Sequence, residues 1–231
     1  AVGGYPSAWQ KSRAKIVKVF MDSAEGVDCG DEAARWLSDF LGMEVRLMRR
    51  NYASKRTSPR AHPKTREPLG FQDGYPLLLA SEASLAEFNH RSGLATAGTM
   101  KRMTHFRPNI VVNGCPPYDE MWFCDMVVRG EVGEPVLLKG LKRCERCTVP
   151  DVNPDTGEPE GTNTVELLKR SDLVMPVMPN DPEVDLRTRA MRSVMNLRRP
   201  VFGMNCEWTD YLPGKVIAVG DIIEIKSRYS T

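Results

Sequence analysis

The one close pair of cysteines in the chain, Cys144 and Cys147, is the feature best suited to metal or redox chemistry. Lys142, Arg143 and Arg146 surround it, and nearby cations favour the thiolate form of a cysteine. A thiolate is a soft donor that suits a transition metal whose other ligands come from outside the protein. The segment predicts either a single-cysteine metal ligand or two ordinary buried thiols.

Two other roles for a C-x-x-C pair fit this sequence poorly. A structural zinc site needs a second cysteine pair or two histidines at suitable spacing, and the other four cysteines and the three histidines are scattered. A thioredoxin-like redox pair opens a helix within a βαβ unit. This pair instead follows a strand-like segment and leads into a proline-rich turn.

Length and composition exclude several classes of protein. The chain has 231 residues, of which 41% are hydrophobic and 27% charged, so it can bury a sizeable core without disulfides or structural metal ions. The formal charge of +2 argues against a general nucleic-acid binder. No stretch approaches the ~18 apolar residues of a membrane helix. Six cysteines and the absence of a signal-peptide pattern predict an intracellular, non-secreted protein with reduced thiols.

The elements expected around the cysteine pair are mostly strands. Apolar helical spacing predicts helices over 28–42, with Asp28 as N-cap and Gly42 as stop, and over 81–91, with Ser81 as N-cap. We expect loops or turns over 51–70 and 148–162 and an irregular excursion over 173–200. Strand patterns cover 15–22, 45–49, 75–80 and 106–114, a hairpin-like pair over 121–130 and 134–143, and a closing pair over 214–226 that is divided by a Gly-Asp turn. The pattern predicts a β-rich α+β or barrel-like fold.

Four segments resemble, in the right order, blocks of the MOSC domain, the C-terminal domain of molybdenum cofactor sulfurases and amidoxime-reducing components. The segments are FQDGYPLLLASEASLAEFN, HFRPNIVVNGCPPYDEMW, CERCTVPDVNPDTG and the closing VFG with GKVIAVGDIIEI. The FRPN tetrad favours the amidoxime-reducing branch, because sulfurase domains more often have another residue where Pro108 stands.

The resemblance implies a MOSC-type β-barrel with a few peripheral helices. Residues 71–231 would form the domain core, and residues 1–70 the end of the N-terminal region, with a helix and a basic loop. On this resemblance we expect the family's N-terminal β-rich half, which contributes a Lys and an Arg to the cofactor phosphate, to be missing from this sequence. The chain would then be part of a longer protein or a degenerate relative.

The resemblance also implies a set of site residues. Cys147 corresponds to the catalytic molybdenum ligand, with Cys144 as a support or a small buried hydrophobe. Arg107 and Asn109 would share one strand face and bind the phosphate and ring atoms of the pterin. The alternative for Arg107 is an ion pair with a surface carboxylate.

The turn before the strand at 75–80 corresponds to a pterin-binding turn of the family. Asp73 matches its carboxylate, although a simple turn-forming role is equally compatible with this residue. Gly74 and Tyr75 stand where small hydroxylated residues are common, so we expect them to contribute backbone N–H groups.

The resemblance implies a molybdenum-cofactor reductase of N-hydroxylated compounds, supplied with electrons from NADH by a flavoprotein and a small acidic b-type cytochrome. A basic loop would either be solvated or steer that cytochrome; its cations are Arg49, Arg50, Lys55, Arg56, Arg60, Lys64 and Arg66. The alternatives are a sulfurase domain that presents the cofactor to a separate pyridoxal-phosphate domain, or an inert fold that binds a partner. The compartment would be mitochondrial or cytoplasmic, with any membrane anchor in an N-terminal segment outside this sequence.

Overall fold

The chain divides into two compact units, Ala1–Pro76 and Leu77–Thr231. The computed structural model describes residues 14–20, 22–51, 55–58, 69–130, 133–170, 200–209 and 214–229. No helix within these ranges is both long enough and apolar enough to span a bilayer.

The first unit contains a three-stranded antiparallel sheet in the order β1-β2-β3. Its strands are β1 (Ala14–Val19), β2 (Asp22–Asp28) and β3 (Met48–Arg50), and helix α1 (Asp31–Leu41) connects the last two. The helix ends at Gly42 as predicted, because this glycine adopts a left-handed φ of 66°. The strands predicted over 15–22 and 45–49 are displaced, since a turn interrupts the first after Val19 and the second begins only at Met48.

Asp28 does not cap α1, which corrects the sequence-based expectation. The N-cap position is Gly30, and no side chain caps the helix. The Asp28 carboxylate instead accepts hydrogen bonds from the Gly30 N–H at 2.9 Å and from Arg46 Nε at 2.6 Å. It also pairs with Lys15 Nζ at 2.9 Å. Through these contacts the carboxylate links β1, the start of α1 and the segment before β3.

The second unit is built on a six-stranded sheet in the order β5-β4-β8-β7-β6-β9. The β4–β5 pair is parallel and the other neighbours are antiparallel, including the predicted β6–β7 pair. The sheet curls, so the edge strands β5 and β9 line one open pocket of about 960 Å³. The strands are β4 (Leu77–Ser81), β5 (Ile110–Val112), β6 (Asp125–Arg129), β7 (Val136–Glu145), β8 (Val201–Trp208) and β9 (Ile222–Ile225). The predicted β-rich α+β class is confirmed.

Short helices surround this sheet. They are α2 (Glu82–Arg91), α3 (Leu94–Ala97), α4 (Met103–Phe106) and α5 (Thr164–Lys169), with 3-10 turns at Asp119–Trp122 and Val149–Asp151. The Ser81 side chain caps α2 as predicted, accepting the Ala83 N–H at 3.2 Å. The hydroxyl of Ser84, three residues on, donates to buried Glu120 at 2.7 Å.

Two strand predictions in this unit need correction. The strand expected over 106–114 begins only at Ile110, because Phe106 ends helix α4 and Arg107 adopts a left-handed conformation. Residues 214–219 form no strand, so the predicted closing pair reduces to β9. Except for Pro200, the excursion expected over 173–200 lies outside the described residues.

An aromatic cluster anchors α4 to the core. The rings of Phe88, Phe106 and Phe202 are fully buried, and the last two stack with centroids 4.0 Å apart. Burying each such ring stabilises the fold by about 2 kcal/mol. Because Phe106 is the last residue of α4, this cluster fixes the backbone from which Arg107 and Asn109 extend.

Candidate functional site

The C-x-R-C segment leaves the end of β7 and meets the end of α4. Cys144 is half-buried near the end of β7, whereas Cys147 is exposed just beyond it. Arg146 Nη1 donates to Cys144 Sγ at 3.1 Å, and its Nη2 donates to the Phe106 carbonyl at 2.8 Å. One guanidinium therefore ties the segment of Cys147 to the residue that precedes Arg107.

Arg107 has an unusual backbone and an exposed side chain. Its φ of 56° lies in the left-handed region, which costs a residue with a Cβ about 1–2 kcal/mol. The conformation is held because its N–H donates to the Met103 carbonyl at 3.2 Å. Within the described residues its guanidinium has no hydrogen bond or ion pair, so the alternative role, an ion pair with a surface carboxylate, is not seen there. Strain of this kind is concentrated at ligand clamps and active sites.

Asn109 is positioned by β4. Its N–H donates to the Leu78 carbonyl at 2.8 Å, and its Oδ1 accepts the Leu78 N–H at 2.8 Å. The prediction that Arg107 and Asn109 alternate on one strand is wrong, because the strand starts after both residues. They nevertheless lie two residues apart on the same turn after α4.

The predicted pterin-binding turn belongs to the first unit, where Asp73 is exposed and Tyr75 is half-buried. A Cβ added to Gly74 would meet nothing within 4 Å, so this turn is open around its glycine. An open turn leaves backbone groups accessible to a ligand, as the resemblance requires of Gly74 and Tyr75.

Arg56 stabilises this turn, so the assignment of Arg56 to a solvated basic loop is corrected. Its side chain is 4% exposed and pairs with Asp22 at 3.1 Å. The guanidinium also donates to the carbonyls of Gly70 at 3.2 Å and Gln72 at 2.5 Å, and to that of Asp73. Arg49 and Lys55 are exposed, whereas the cations at 60, 64 and 66 lie outside the described residues.

Sequence reasoning missed an ionic cluster in the second unit, in which Lys101 and His105 are buried. The ammonium of Lys101 donates to Glu160 Oε2 at 2.7 Å and to Thr162 Oγ1 at 2.6 Å. His105 Nε2 lies 3.2 Å from the same carboxylate. The hydrogen bond from Lys101, followed by that from His105, holds the pKa of Glu160 below its ordinary value. We call Lys101, His105, Glu160 and Thr162 the Lys101 cluster; no sequence motif marks it, because its members are far apart in the chain.

The six cysteines are free thiols, and no group of side chains in the described ranges resembles a zinc site. All six lie in the described ranges without a disulfide. No set of three or more His, Cys, Asp or Glu side chains in these ranges is placed to hold a metal ion. The candidate metal ligand among the described residues is therefore one exposed thiol, Cys147, and Arg146 links its segment to the residue before the strained Arg107.

The chain belongs to the MOSC domain family, whose model matches residues 66–224. It is similar to mitochondrial amidoxime-reducing component 1 of Mus musculus, with 35% identity over 66% of this chain and 43% of the relative. It is 32% identical to mitochondrial amidoxime reducing component 2 of Homo sapiens, over 69% of this chain and 46% of that protein. The chain thus spans less than half the length of these relatives.

A molybdenum cofactor sulfurase also matches. The protein from Drosophila mojavensis is 30% identical over 64% of this chain, which corresponds to 18% of the sulfurase. Both types of protein named by the sequence resemblance are therefore found among the relatives.

Proposed function

We propose that this chain is the cofactor-binding part of a molybdenum-dependent reductase of N-hydroxylated compounds, such as amidoximes and hydroxylamines. The observation that carries the proposal is the double hydrogen bond of Arg146, which ties the Cys147 segment to the turn of Arg107. The printed names of the amidoxime-reducing relatives support the substrate class.

The residues present fit a molybdenum cofactor. The cofactor brings its own dithiolene sulfurs, so the protein needs to supply only one soft donor, which the exposed thiol of Cys147 can do. A planar cation binds an anionic pterin phosphate well, and the guanidinium of Arg107, which has no partner among the described residues, suits it. The Asn109 amide nitrogen, which has no hydrogen bond to the described residues, can donate to the pterin ring.

Each of these residues has a separate role in the proposed reaction. The bound cofactor would supply the two-electron chemistry that removes oxygen from an N–O bond. Cys147 would hold the metal, while Arg107 and Asn109 would orient the pterin. The pterin-binding role of Asp73, Gly74 and Tyr75, which belong to the first unit, stays a prediction from the sequence resemblance. Arg146 would act on Cys147 indirectly, by fixing the backbone beside it.

We propose the electron donors on the same basis. Electrons would pass from NADH through a flavoprotein to an acidic b-type cytochrome. The exposed cations Arg49 and Lys55 could attract an acidic partner electrostatically, whereas Arg56 is buried and cannot. The names of the relatives favour a mitochondrial location.

The test is a cysteine substitution in the full-length protein. We expect Cys147→Ser to abolish reduction of benzamidoxime and to lower the molybdenum content, measured by mass spectrometry of the metal. Cys124→Ser, also at a free cysteine of the second unit, should keep both. Turnover retained in Cys147→Ser would refute the assignment.

A second candidate function rests on the sulfurase match. In that case the domain would hold the cofactor for a separate pyridoxal-phosphate domain. Purified full-length protein would then contain molybdenum that depends on Cys147, but it would not reduce benzamidoxime with an artificial electron donor.

A further inference from the structure

The Lys101 cluster joins the segment after Cys147 to two helices. Lys101 is 2% exposed. Its backbone N–H donates to Asn89 Oδ1 at 2.8 Å, and its carbonyl accepts from Asn89 Nδ2 at 2.8 Å. Because Asn89 belongs to α2, these two bonds fix the lysine backbone against that helix.

The ammonium of Lys101 holds the far end of the loop that begins at Cys147. It binds Glu160 and Thr162, and the Glu160 N–H donates to the Asp151 carbonyl at 2.8 Å. The Asp151 carboxylate accepts the Thr162 hydroxyl at 3.0 Å and the Thr164 N–H at 2.9 Å. The loop from Cys147 to α5 is therefore folded around one buried cation.

Glu160 also reaches the helix that precedes Arg107. His105 Nδ1 accepts the Arg102 N–H at 3.0 Å, and the other ring nitrogen, Nε2, lies 3.2 Å from the Glu160 carboxylate. His105 is 3% exposed and lies on α4. The Glu160 carboxylate thus contacts both the ammonium of Lys101 and the imidazole of His105 on α4.

We propose that Lys101 and Glu160 are positioning residues that set the orientation of Cys147 relative to Arg107. The inference rests on the proposed function, in which these two residues hold one cofactor. A buried ion pair contributes little net stability compared with apolar packing. It does impose a defined geometry, and here that geometry links the loop after the metal ligand to the helix before the phosphate ligand.

The experiment uses the full-length protein with Lys101→Met, Glu160→Gln and the double variant. Their molybdenum content, the electron paramagnetic resonance spectrum of their Mo(V) state and their kcat for benzamidoxime are compared with wild type. We expect retained molybdenum, a shifted Mo(V) spectrum and a kcat lowered by about tenfold or more, because small displacements of reacting groups are costly. Lys101→Arg, which keeps the charge, should restore part of the kcat.

Lys139→Met with Asp125→Asn is the matched control. This ion pair of 2.9 Å lies in the same unit, with a lysine side chain that is 26% exposed. The control should keep the wild-type spectrum. A wild-type spectrum in the Lys101 and Glu160 variants would overturn the proposal.

A cofactor-free measurement separates this proposal from the proposed function. In protein stripped of cofactor, hydrogen exchange followed by mass spectrometry monitors the hydrogen-bonded amides of Asp151, Val152 and Glu160 in the loop after Cys147. We expect about threefold or faster exchange in Lys101→Met and Glu160→Gln, because a released loop opens more often, and no change in the control. Unchanged exchange would overturn the positioning role. Wild-type protein that never binds molybdenum would instead refute the proposed function, whatever the exchange rates show. If Lys101→Met fails to fold, Glu160→Gln, which keeps the side-chain shape, decides the question.

Discussion

Arg146 donates a hydrogen bond to the thiol of Cys144 over 3.1 Å, so the third residue of the C-x-R-C segment is hydrogen-bonded to the first. The same guanidinium binds the Phe106 carbonyl and lies 5.5 Å from the Phe106 ring centroid. Cys144 is thus a hydrogen-bond acceptor in the described structure rather than a purely apolar filler. The segment that carries Cys147 is fastened to the aromatic core through one side chain.

Arg146→Lys should loosen this attachment while keeping the charge. A lysine ammonium cannot present the planar fork that reaches both the thiol and the carbonyl. We expect the variant to lose more than half of its molybdenum and to be destabilised by about 1–3 kcal/mol, because a buried carbonyl loses its partner. Metal analysis and urea unfolding measure the two effects. Arg129→Lys, at an exposed ion pair with Glu224, is the control, and equal losses in both variants would contradict the prediction.

Asp28→Asn should weaken the first unit in a pH-dependent manner. The hydrogen bond from Arg46, with those from Gly30 and Lys15, holds the pKa of Asp28 well below its usual range. A lowered folded-state pKa stabilises the fold at pH values above 3.8, the ordinary pKa of an aspartate. This contribution is lost as the pH falls towards the folded-state pKa. Hydrogen exchange of the α1 and β3 amides should be faster in the variant near neutral pH, and the difference should shrink on acidification. Asp39→Asn, at an exposed position of α1, should leave the exchange unchanged at every pH.

Glu120 should show the opposite pH dependence. The residue is fully buried, and burial raises its pKa above the ordinary value, against the hydrogen bond from Ser84. A raised folded-state pKa makes folding progressively less favourable as the pH rises from the unfolded pKa to the folded one. Glu120→Gln cannot ionise, so its unfolding free energy should fall less between mildly acid and mildly alkaline pH than that of wild type. Urea unfolding at several pH values tests this, with exposed Glu134→Gln as the control that keeps the wild-type slope.

The sequence predicts those parts of the fold in which local signals agree with tertiary contacts. The serine cap of α2, the left-handed glycine after α1 and the β6–β7 pair all follow from short-range patterns. Asp28 fails as a cap because Arg46, 18 residues away, competes for its carboxylate. The strand before Ile110 fails because α4 and the left-handed Arg107 replace extended backbone, and neither has a strong local signal.

The residues of the candidate site likewise include some that the sequence marks and others whose roles only the fold reveals. Cys147 and Arg107 could be selected from motif and residue type, since their chemistry lies in the side chain itself. The roles of Arg56 and Lys101 depend on partners that only the fold brings close, such as Glu160, which is 59 residues from Lys101. A basic residue in a loop-like stretch gives no indication whether it is solvated, as Lys55 is, or buried, as Arg56 is.

Gly140→Ala should destabilise the strand that carries the cysteine segment. A Cβ at this position would lie 2.1 Å from the Phe123 carbonyl oxygen, a backbone atom that cannot move aside as a flexible side chain could. The pairing of β7 with β8 shifts register just after this glycine, so the added methyl group would strain a strand that is already irregular. Overpacking of this kind costs about 1–3 kcal/mol. Gly130→Ala is the control, because the three heavy atoms nearest to its Cβ all belong to the side chain of Asp221, which can shift more readily than a backbone carbonyl, and we expect such a change to cost about 0.5 kcal/mol. Urea unfolding followed by tryptophan fluorescence should separate the two variants clearly, and the same midpoint for both would show that the close approach at Gly140 does not constrain β7.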